Sequence, residues 1–522
     1  MRRGALALLV TLALVLLSGC APSQPPPEGS PPAAGDELTP TAAAATTYVM
    51  AGDDYGYPSP FAFYSRGPGY IRMSYLFDTL VWKDADGVIP WLAERWALSD
   101  DGTVWTFELR PDVTWHDGQP LTAEDVAFSY TYFGERAAEG MVRWGWPIEH
   151  VAAAEASADG RTVTLHTAEP VAGLLSDLFG SLPIIPRHIW QGVAEPLKKL
   201  DAEAVIGSGP FILRAYDQAE GRYLYEANPR YFMGAPKVEQ LALIRVQDAA
   251  LALLVGDVHE ASFSGSGIAS VTELREQPGL AVIEGPSDWA LKLYYNTTRT
   301  PFDRREVRQA LALTIDRQAL VTRAQLGGAV VASTGLLSPS SPWHAPNLPA
   351  YAHDAAAAQA LLSAAGVTSL QTTLLTTPTY AREAELIRSD LAAVGITVEV
   401  RTADMATVDG LLNAGEFDLL VTGHGGTANP DMGHPSVPAV WENTEYTEVY
   451  EASLRAMDEG ERRALVWRLQ EIIAEELPIL PLWHPLMWEV YTPGGPTPFY
   501  TAGGVANGIP LAVNKLMFLN TP

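Results

Sequence analysis

The residues best suited to chemistry in this 522-residue chain gather in one glycine-rich stretch, Gly423-His424-Gly425-Gly426-Thr427-Ala428-Asn429-Pro430-Asp431-Met432-Gly433-His434. His424, Asn429 and Asp431 bring an imidazole, an amide and a carboxylate, while Gly425 and its neighbours let the backbone approach a bound molecule closely. Groups of that kind hold a polar solute by hydrogen bonds; the competing reading is a solvated surface loop. His424 is also a candidate for an imidazole donated to a metal chelate, and no resident metal or other cofactor is expected. Trp144 and Trp146 lie in Arg143-Trp144-Gly145-Trp146-Pro147, Asp54 and Tyr55 follow the first predicted strand, and Trp289 precedes another. Aromatic residues beside glycine commonly wall a cleft; core packing competes for the tryptophans, and a solvated turn for Asp54 and Tyr55. Catalysis finds no signature: Gly-x-Ser-x-Gly, P-loop, His-Glu-x-x-His and Gly-x-Gly-x-x-Gly are all missing, and the ten histidines are scattered. The chain reads as a binder rather than an enzyme.

The elements that must position these residues alternate between strand and helix from Thr47 onward. Phe417 to Val421 is an apolar strand, so the glycine-rich loop leaves its carboxyl end, where open α/β sheets bind ligands. Before it, Ala384, Ile387, Leu391 and Val394 share a helical face, Gly395 stops the helix, and Ile396, Val398 and Val400 alternate as a strand. Such a series implies parallel pairing with right-handed crossovers. Leu291 to Tyr295 is predicted as a strand and Val307, Leu311 and Ile315 as the stripe of the next helix, while Leu465, Leu469 and Ile472 mark a helix ahead of a crossing segment from Leu477 to Trp483. In the first half, Val104 to Leu109 alternates with Trp105, Phe107 and Leu109 on one face. Thr122 and Asp125 form a capping box ahead of Val126, Tyr130 and Phe133. Gly207-Ser208-Gly209 reads as a tight turn before the strand Phe211 to Arg214.

Composition limits the partners. With 61 acidic against 34 basic residues the formal net charge is -27, which disfavours nucleic acid. The single cysteine, Cys20, forms no intramolecular disulfide. It ends Met1-Arg2-Arg3, an apolar run from Leu6 to Leu17, and Leu17-Ser18-Gly19-Cys20, which resembles a bacterial lipobox. That resemblance implies cleavage before Cys20 and lipidation of its thiol, giving a membrane anchor. Ala21 to Ala45 is rich in Pro, Ala, Ser, Gly and Thr and is expected to be an extended tether.

Several later stretches resemble the family 5 extracellular solute-binding proteins of ABC importers, the oligopeptide, dipeptide and nickel-chelate receptors. They are Leu80-Val81-Trp82, Pro90 to Trp96, Trp105 to Arg110, Trp115 to Val126, Gly207 to Phe211, Asn228-Pro229-Arg230-Tyr231-Phe232, Tyr295-Asn296-Thr297 with Val307 to Leu311, and Asp418-Leu419-Leu420. The resemblance implies an α/β, type II periplasmic-binding-protein-like fold: two lobes with a cleft and hinge, lobe one enlarged by an extra subdomain. The expected division is signal peptide 1–19, lipidated Cys20 and tether 20–46, lobe one 47–292 plus 483–522, and lobe two 293–482. The expected protein is a monomer outside the cell membrane, lipid-anchored or periplasmic, that delivers its ligand to ABC permease and ATPase subunits. Trp82, Trp91, Trp96, Trp105 and Trp115 fall on the scaffold signature and are expected in the core.

The resemblance leaves the ligand open. Peptide-binding members carry an amine-holding acid ahead of an Asp-Pro-Asp sequence; Asn429-Pro430-Asp431 matches the latter, but Gly426 stands where the acid would be. The arginine that dipeptide receptors present to the ligand carboxylate has no counterpart in Thr376-Thr377-Pro378-Thr379-Tyr380. A peptide is the first expectation, with a nickel or other metal chelate or an oligosaccharide as alternatives. A lipid-anchored hydrolase and a ligand sensor are the rivals from other classes.

Overall fold

The computed structural model describes residues 46–286, 288–424, 440–506 and 512–520. Cys20, Gly425, Asn429 and Asp431 lie outside the described residues, as do the expected signal peptide and nearly all of the tether.

Two mixed sheets organise the folded body. The first has seven strands in the order Ala281–Gly285, Met487–Tyr491, Glu260–Ser264, Thr47–Gly52, Gln240–Arg245, Arg222–Ala227 and Phe211–Asp217. Thr47–Gly52 lies between parallel neighbours, pairing with Gln240–Arg245 along its length and with Glu260 at Met50. The second has six strands in the order Ala329–Val331, Ile479–Pro485, Ala290–Tyr295, Leu419–His424, Leu370–Thr376 and Ile396–Thr402. Leu370–Thr376 is parallel to both of its neighbours, as the strand-helix-strand series predicts. Ala290–Tyr295 joins antiparallel to Leu419–His424, so parallel pairing does not extend across the sheet.

Helices cover both faces of the second sheet because its strands alternate two apolar sets. Leu291, Leu293 and Tyr295 enter one core with Val307, Leu311, Ile387 and Leu391. Tyr294 and Leu420 enter the other with Val408, Val466 and Leu469. The long helix Glu459–Glu476 buries Val466, Leu469, Ile472 and Ile473, while Leu465 is only half-buried, a stripe turned by one position from the expected one. The predicted strand at Phe417 begins two residues later, at Leu419: Phe417 is buried ahead of it, and its carbonyl accepts from the Asn296 amide at 2.7 Å.

Lobe one carries the extra subdomain, a four-stranded antiparallel sheet built from residues 93–98, 104–109, 162–167 and 151–156. The helix Ala123–Ala138 packs on it through Val126, Tyr130 and Phe133. Its start is fixed where the sequence places it, with the Thr122 amide donating to Asp125 at 2.9 Å. One apolar core runs from this sheet into the main sheet of lobe one, so subdomain and lobe are a single packed body.

The landmark residues of lobe one converge on Asp78. Its carboxylate, fully buried, accepts from the Trp91 indole at 2.7 Å, the Tyr231 hydroxyl at 2.9 Å and the Ser208 hydroxyl at 2.8 Å, and pairs with Lys515 at 2.5 Å. The Lys515 ammonium also lies 4.1 Å from the Trp82 ring centroid. A buried ion pair is retained only when its remaining lone pairs and protons are satisfied, and here four distant segments satisfy it. Gly207 and Gly209 take part sterically: a Cβ would stand 1.9 Å from the Leu76 carbonyl oxygen at Gly207 and 2.5 Å from that of Tyr75 at Gly209. Trp82, Trp91, Trp105 and Trp115 are buried as expected, with Trp96 half-buried.

Candidate ligand-binding cleft

The chain passes between the sheets twice, side by side. The first sheet holds Gly285 opposite Met487, and the second holds Leu291 opposite Trp483. Residues 286, 288 and 289 lie between the sheets on one connection and Leu486 on the other, with strands of the second sheet starting at Ala290 and ending at Pro485. Two adjacent short connections leave a rotation between the sheets as the soft motion, the geometry of a hinge.

On lobe one the wall starts at the carboxyl end of Thr47–Gly52. One carboxylate oxygen of the half-buried Asp54 accepts from the hydroxyls of Tyr216 at 2.8 Å and Tyr223 at 3.1 Å, within lobe one. Asp53 pairs with Arg245 at 2.6 Å. Tyr55 does face a cavity of about 290 Å³, lined also by Gly52, Asp53, Arg72, Glu260 and Glu489. The Arg72 guanidinium sits 4.7 Å from the Tyr55 ring centroid. Glu260 and Glu489 are buried; Tyr48 donates to the first at 2.8 Å and Ser262 to the second at 2.7 Å. Burial pushes the Glu260 carboxyl up to about 7 and raises that of Glu489 as well, the nearby Glu260 charge adding to the effect on Glu489.

The reach across the cleft comes from Arg66, in the turn Ser65-Arg66-Gly67-Pro68-Gly69 that opens the helix Gly67–Ser74. Gly69 makes this turn possible, because a Cβ there would lie 2.1 Å from the Tyr64 carbonyl oxygen. The Arg66 guanidinium donates to both carboxylate oxygens of Asp409 at 2.8 Å and to the Gly423 carbonyl at 3.0 Å. Burial works against its charge, yet Asp409 more than offsets that and the pKa is raised. Asp409 belongs to the helix Met405–Ala414 and Gly423 to a strand of the second sheet, so one side chain of lobe one ties two elements of lobe two.

Lobe two presents aromatic rings at the same place. Trp289 lies 6.1 Å from Tyr380 and 5.6 Å from Trp483, centroid to centroid. It covers Gly423, where a Cβ would meet the indole at 1.7 Å. Burial pushes the Tyr380 hydroxyl up to about 12, with Arg66, Glu383 and Tyr55 within electrostatic reach. His424 ends its strand opposite Ala290, which brings its backbone beside the crossing. Behind Trp289, His484 bonds through Nδ1 to the Trp289 carbonyl at 2.9 Å.

Two predicted cleft residues belong elsewhere. Trp146 is 4% exposed and packs edge-on against Phe133 at 5.3 Å, in the lobe-one core. Trp144, half-buried, stacks on the buried Tyr70 at 5.1 Å and lies tilted against Phe63 at 5.6 Å. Tyr55 and Trp289 are brought together with Arg66, Tyr380 and Asp409, three residues that sequence reasoning passed over. An arginine in a Gly-Pro-Gly turn was the available signal for Arg66; nothing local marks Tyr380 or Asp409. Among the described residues no group of three His, Cys, Asp or Glu side chains is arranged to hold a metal ion.

Two lobes joined by paired crossings around an aromatic cleft define a receptor that encloses a solute. Residues 87–440 match the model of the bacterial extracellular solute-binding proteins, family 5, and the chain belongs to that family. It is similar to di/tripeptide-binding protein 2 of Pseudomonas aeruginosa, 29% identical over 439 residues that cover 77% of this chain and 82% of that protein. The dipeptide-binding protein of Escherichia coli is 27% identical over 373 residues, covering 66% of this chain and 69% of its own. Among solved structures, the periplasmic binding protein DppA from Helicobacter pylori, in complex with the peptide STSA, superposes with a TM-score of 0.77 at 22% identity, covering 90% of this chain and 99% of that one. NikZ from Campylobacter jejuni in complex with Ni(L-His) gives a TM-score of 0.72 at 19% identity, covering 88% and 97%. These two structures share the fold.

Proposed function

We propose that this chain is the receptor of an ABC importer for short peptides, held outside the cell membrane by a lipid on Cys20. The observation that carries the reading is the interlobe clamp, in which Arg66 of lobe one reaches Asp409 and Gly423 of lobe two beside Tyr55, Trp289 and Tyr380. Such a clamp forms only when the lobes are together, so a ligand that touches both walls draws its affinity from closure and shifts the open and closed populations. Peptide is favoured by the di/tripeptide- and dipeptide-binding relatives and by a cleft that offers both aromatic surface and hydrogen-bonding groups. His424, Gly425, Asn429 and Asp431 would complete the lobe-two wall from the loop after Leu419–His424. The division is lobe one before the crossing at 286–289 and after Leu486, and lobe two between them.

In this reading the protein is a monomeric binder and not an enzyme. The permease and ATPase subunits recognise the closed form, and nucleic acid has no part. Among the described residues no helix is long and apolar enough to cross a membrane. Small-angle scattering on protein stripped of bound ligand provides the test, with peptide, nickel-chelate and oligosaccharide panels. Compaction with peptides alone is expected; compaction only with a chelate or a sugar overturns the peptide reading, and none with any panel overturns the receptor reading.

A further inference from the structure

The cavity that Tyr55 faces holds two acids that the interlobe clamp does not use. Glu260 and Glu489 line it from neighbouring antiparallel strands, and Glu489 stands opposite Ser262, so both side chains leave the same face of the sheet. They are 0% and 2% exposed. One oxygen of each is satisfied: Tyr48 donates to Glu260 Oε2 and Ser262 to Glu489 Oε2. The other oxygen of each, Oε1, is buried with no hydrogen-bond partner among the described residues. A buried carboxylate oxygen without a donor is costly, and a glutamine in either place would supply one to its neighbour. Two acids kept side by side here have a donor to meet.

The surroundings define that donor. Arg72, the cation on the cavity wall, is turned to other acceptors: Nη1 donates to the Pro68 carbonyl at 2.8 Å and Nη2 to that of Asp53 at 3.0 Å, while the guanidinium lies over the Tyr55 and Tyr223 rings. Asp53, at the exposed rim, is paired with Arg245. Tyr75 and Tyr500 are within electrostatic reach of both acids, and burial pushes both hydroxyls up, so they add no charge. Met50, Ile71, Leu243 and Val513 make the remaining wall apolar. An apolar shaft ending on two acceptors complements an aliphatic stem with a cationic tip, whose ammonium carries three donors and whose guanidinium carries five. Among the described residues no third His, Cys, Asp or Glu joins the two acids, which leaves a metal ion short of ligands. The cavity also lies at the cleft: Glu489 is three residues beyond the connection at Leu486, and Tyr500 covers Gly285 at the end of the other connection, where a Cβ would stand 2.1 Å from its ring. At about 290 Å³ it falls below the roughly 300–1,000 Å³ of pockets that enclose a whole small ligand. It therefore admits one side chain while the main chain of a ligand stays in the cleft.

We infer that this cavity is a side-chain subsite for a basic residue of the bound peptide, with the aliphatic stem against Met50, Ile71, Leu243 and Val513 and the ammonium or guanidinium between Glu260 and Glu489. The inference rests on the peptide reading above and names the substrate class within it, peptides that carry lysine or arginine.

The test is calorimetric titration of stripped full-length protein with tripeptides of alanine carrying one lysine, at each position in turn, against the same peptides with acetyl-lysine. The termini are identical within each pair, so only the side-chain charge differs. At one position the lysine peptide should bind at least about tenfold tighter, with arginine accepted in its place and citrulline not. At about pH 6.5, where the Glu260 carboxyl of the free protein is largely protonated, the lysine peptide should expel protons that its acetylated partner does not, read as a heat that changes with the ionisation enthalpy of the buffer. Glu489→Gln should lose at least about tenfold on the lysine peptide and leave the acetyl-lysine peptide within about twofold; Glu260→Gln should do the same and serves if the first variant fails to fold. Equal binding of lysine and acetyl-lysine peptides at every position overturns the subsite and leaves peptide capture standing. A lysine preference that survives both glutamine variants, or that comes without proton release, places the charge contact elsewhere and overturns it as well. Binding of no peptide to the wild type removes the peptide reading and this inference with it.

Discussion

Neutralising Asp409 should open the protein. In Asp409→Asn the Arg66 guanidinium loses an ion pair in which one terminal nitrogen, Nη2, donates to both carboxylate oxygens at 2.8 Å, with side chains only 18% and 27% exposed. Exposed pairs contribute about 0.2–1 kcal/mol, whereas charge-assisted and largely desolvated pairs couple by roughly 1.5–3 kcal/mol. Burial places this pair in the second group, and the bond to the Gly423 carbonyl survives the substitution. Because the pair joins the lobes, its loss falls on the closed state alone. The closed-to-open ratio then drops by about 10- to 100-fold, since about 1.4 kcal/mol is a factor of ten. Linkage passes the same factor to the dissociation constant wherever the free protein is mostly open. Calorimetric titration with a bound peptide, run as a double-mutant cycle with Arg66→Gln, isolates the pair from whatever else either residue does. A coupling energy below about 0.5 kcal/mol, or a dissociation constant within twofold of the wild type in Asp409→Asn, would refute the clamp.

Three further outcomes are expected. Asp78→Asn leaves the fully buried Lys515 ammonium without its counter-charge and should cost about 3–5 kcal/mol in urea unfolding; a loss under 1 kcal/mol contradicts the account of that cluster. Glu260 has a folded pKa raised to about 7 from 4.5, so its protonated form stabilises the fold below about pH 4.5 and that contribution is lost as pH rises through 7. Measured against Glu260→Gln, which cancels the opposing histidine contributions, wild-type stability should therefore fall by roughly 3 kcal/mol between pH 4.5 and 8; a flat difference refutes the raised Glu260 pKa. Gly423→Ala drives a methyl into the Trp289 indole and should weaken peptide binding about tenfold or more in a fluorescence titration, while unchanged affinity would remove Trp289 from the binding wall.

The sequence carried the scaffold further than the site, for physical reasons. Alternation and helical spacing identified Val104–Leu109, Ala290–Tyr295 and the helix before Gly395, because each buries a face that its own residues specify. The family landmarks were legible as motifs but not as a cluster: Trp91, Ser208, Tyr231 and Lys515 meet at Asp78 from positions up to 437 apart. Tyr55 and Trp289 each lie just outside a strand, a position that alternation marks in the sequence. The partners of Asp54, Tyr216 and Tyr223, come from strands some 160 positions away and leave no local trace. Trp146 misled because a Gly-Trp-Pro stretch looks like an open loop, while its indole is packed against Phe133. Arg66 and Asp409 are 343 positions apart, and no local pattern predicts a bond that exists only when two lobes meet.

The central claim is that the lobes close on a peptide, and scattering from the stripped protein during a peptide titration measures it most directly. The account predicts a radius of gyration that falls saturably with short peptides in the wild type, with the midpoint moved to about 10- to 100-fold higher peptide concentration in Asp409→Asn. A radius that stays constant while calorimetry shows the same peptides binding would contradict it.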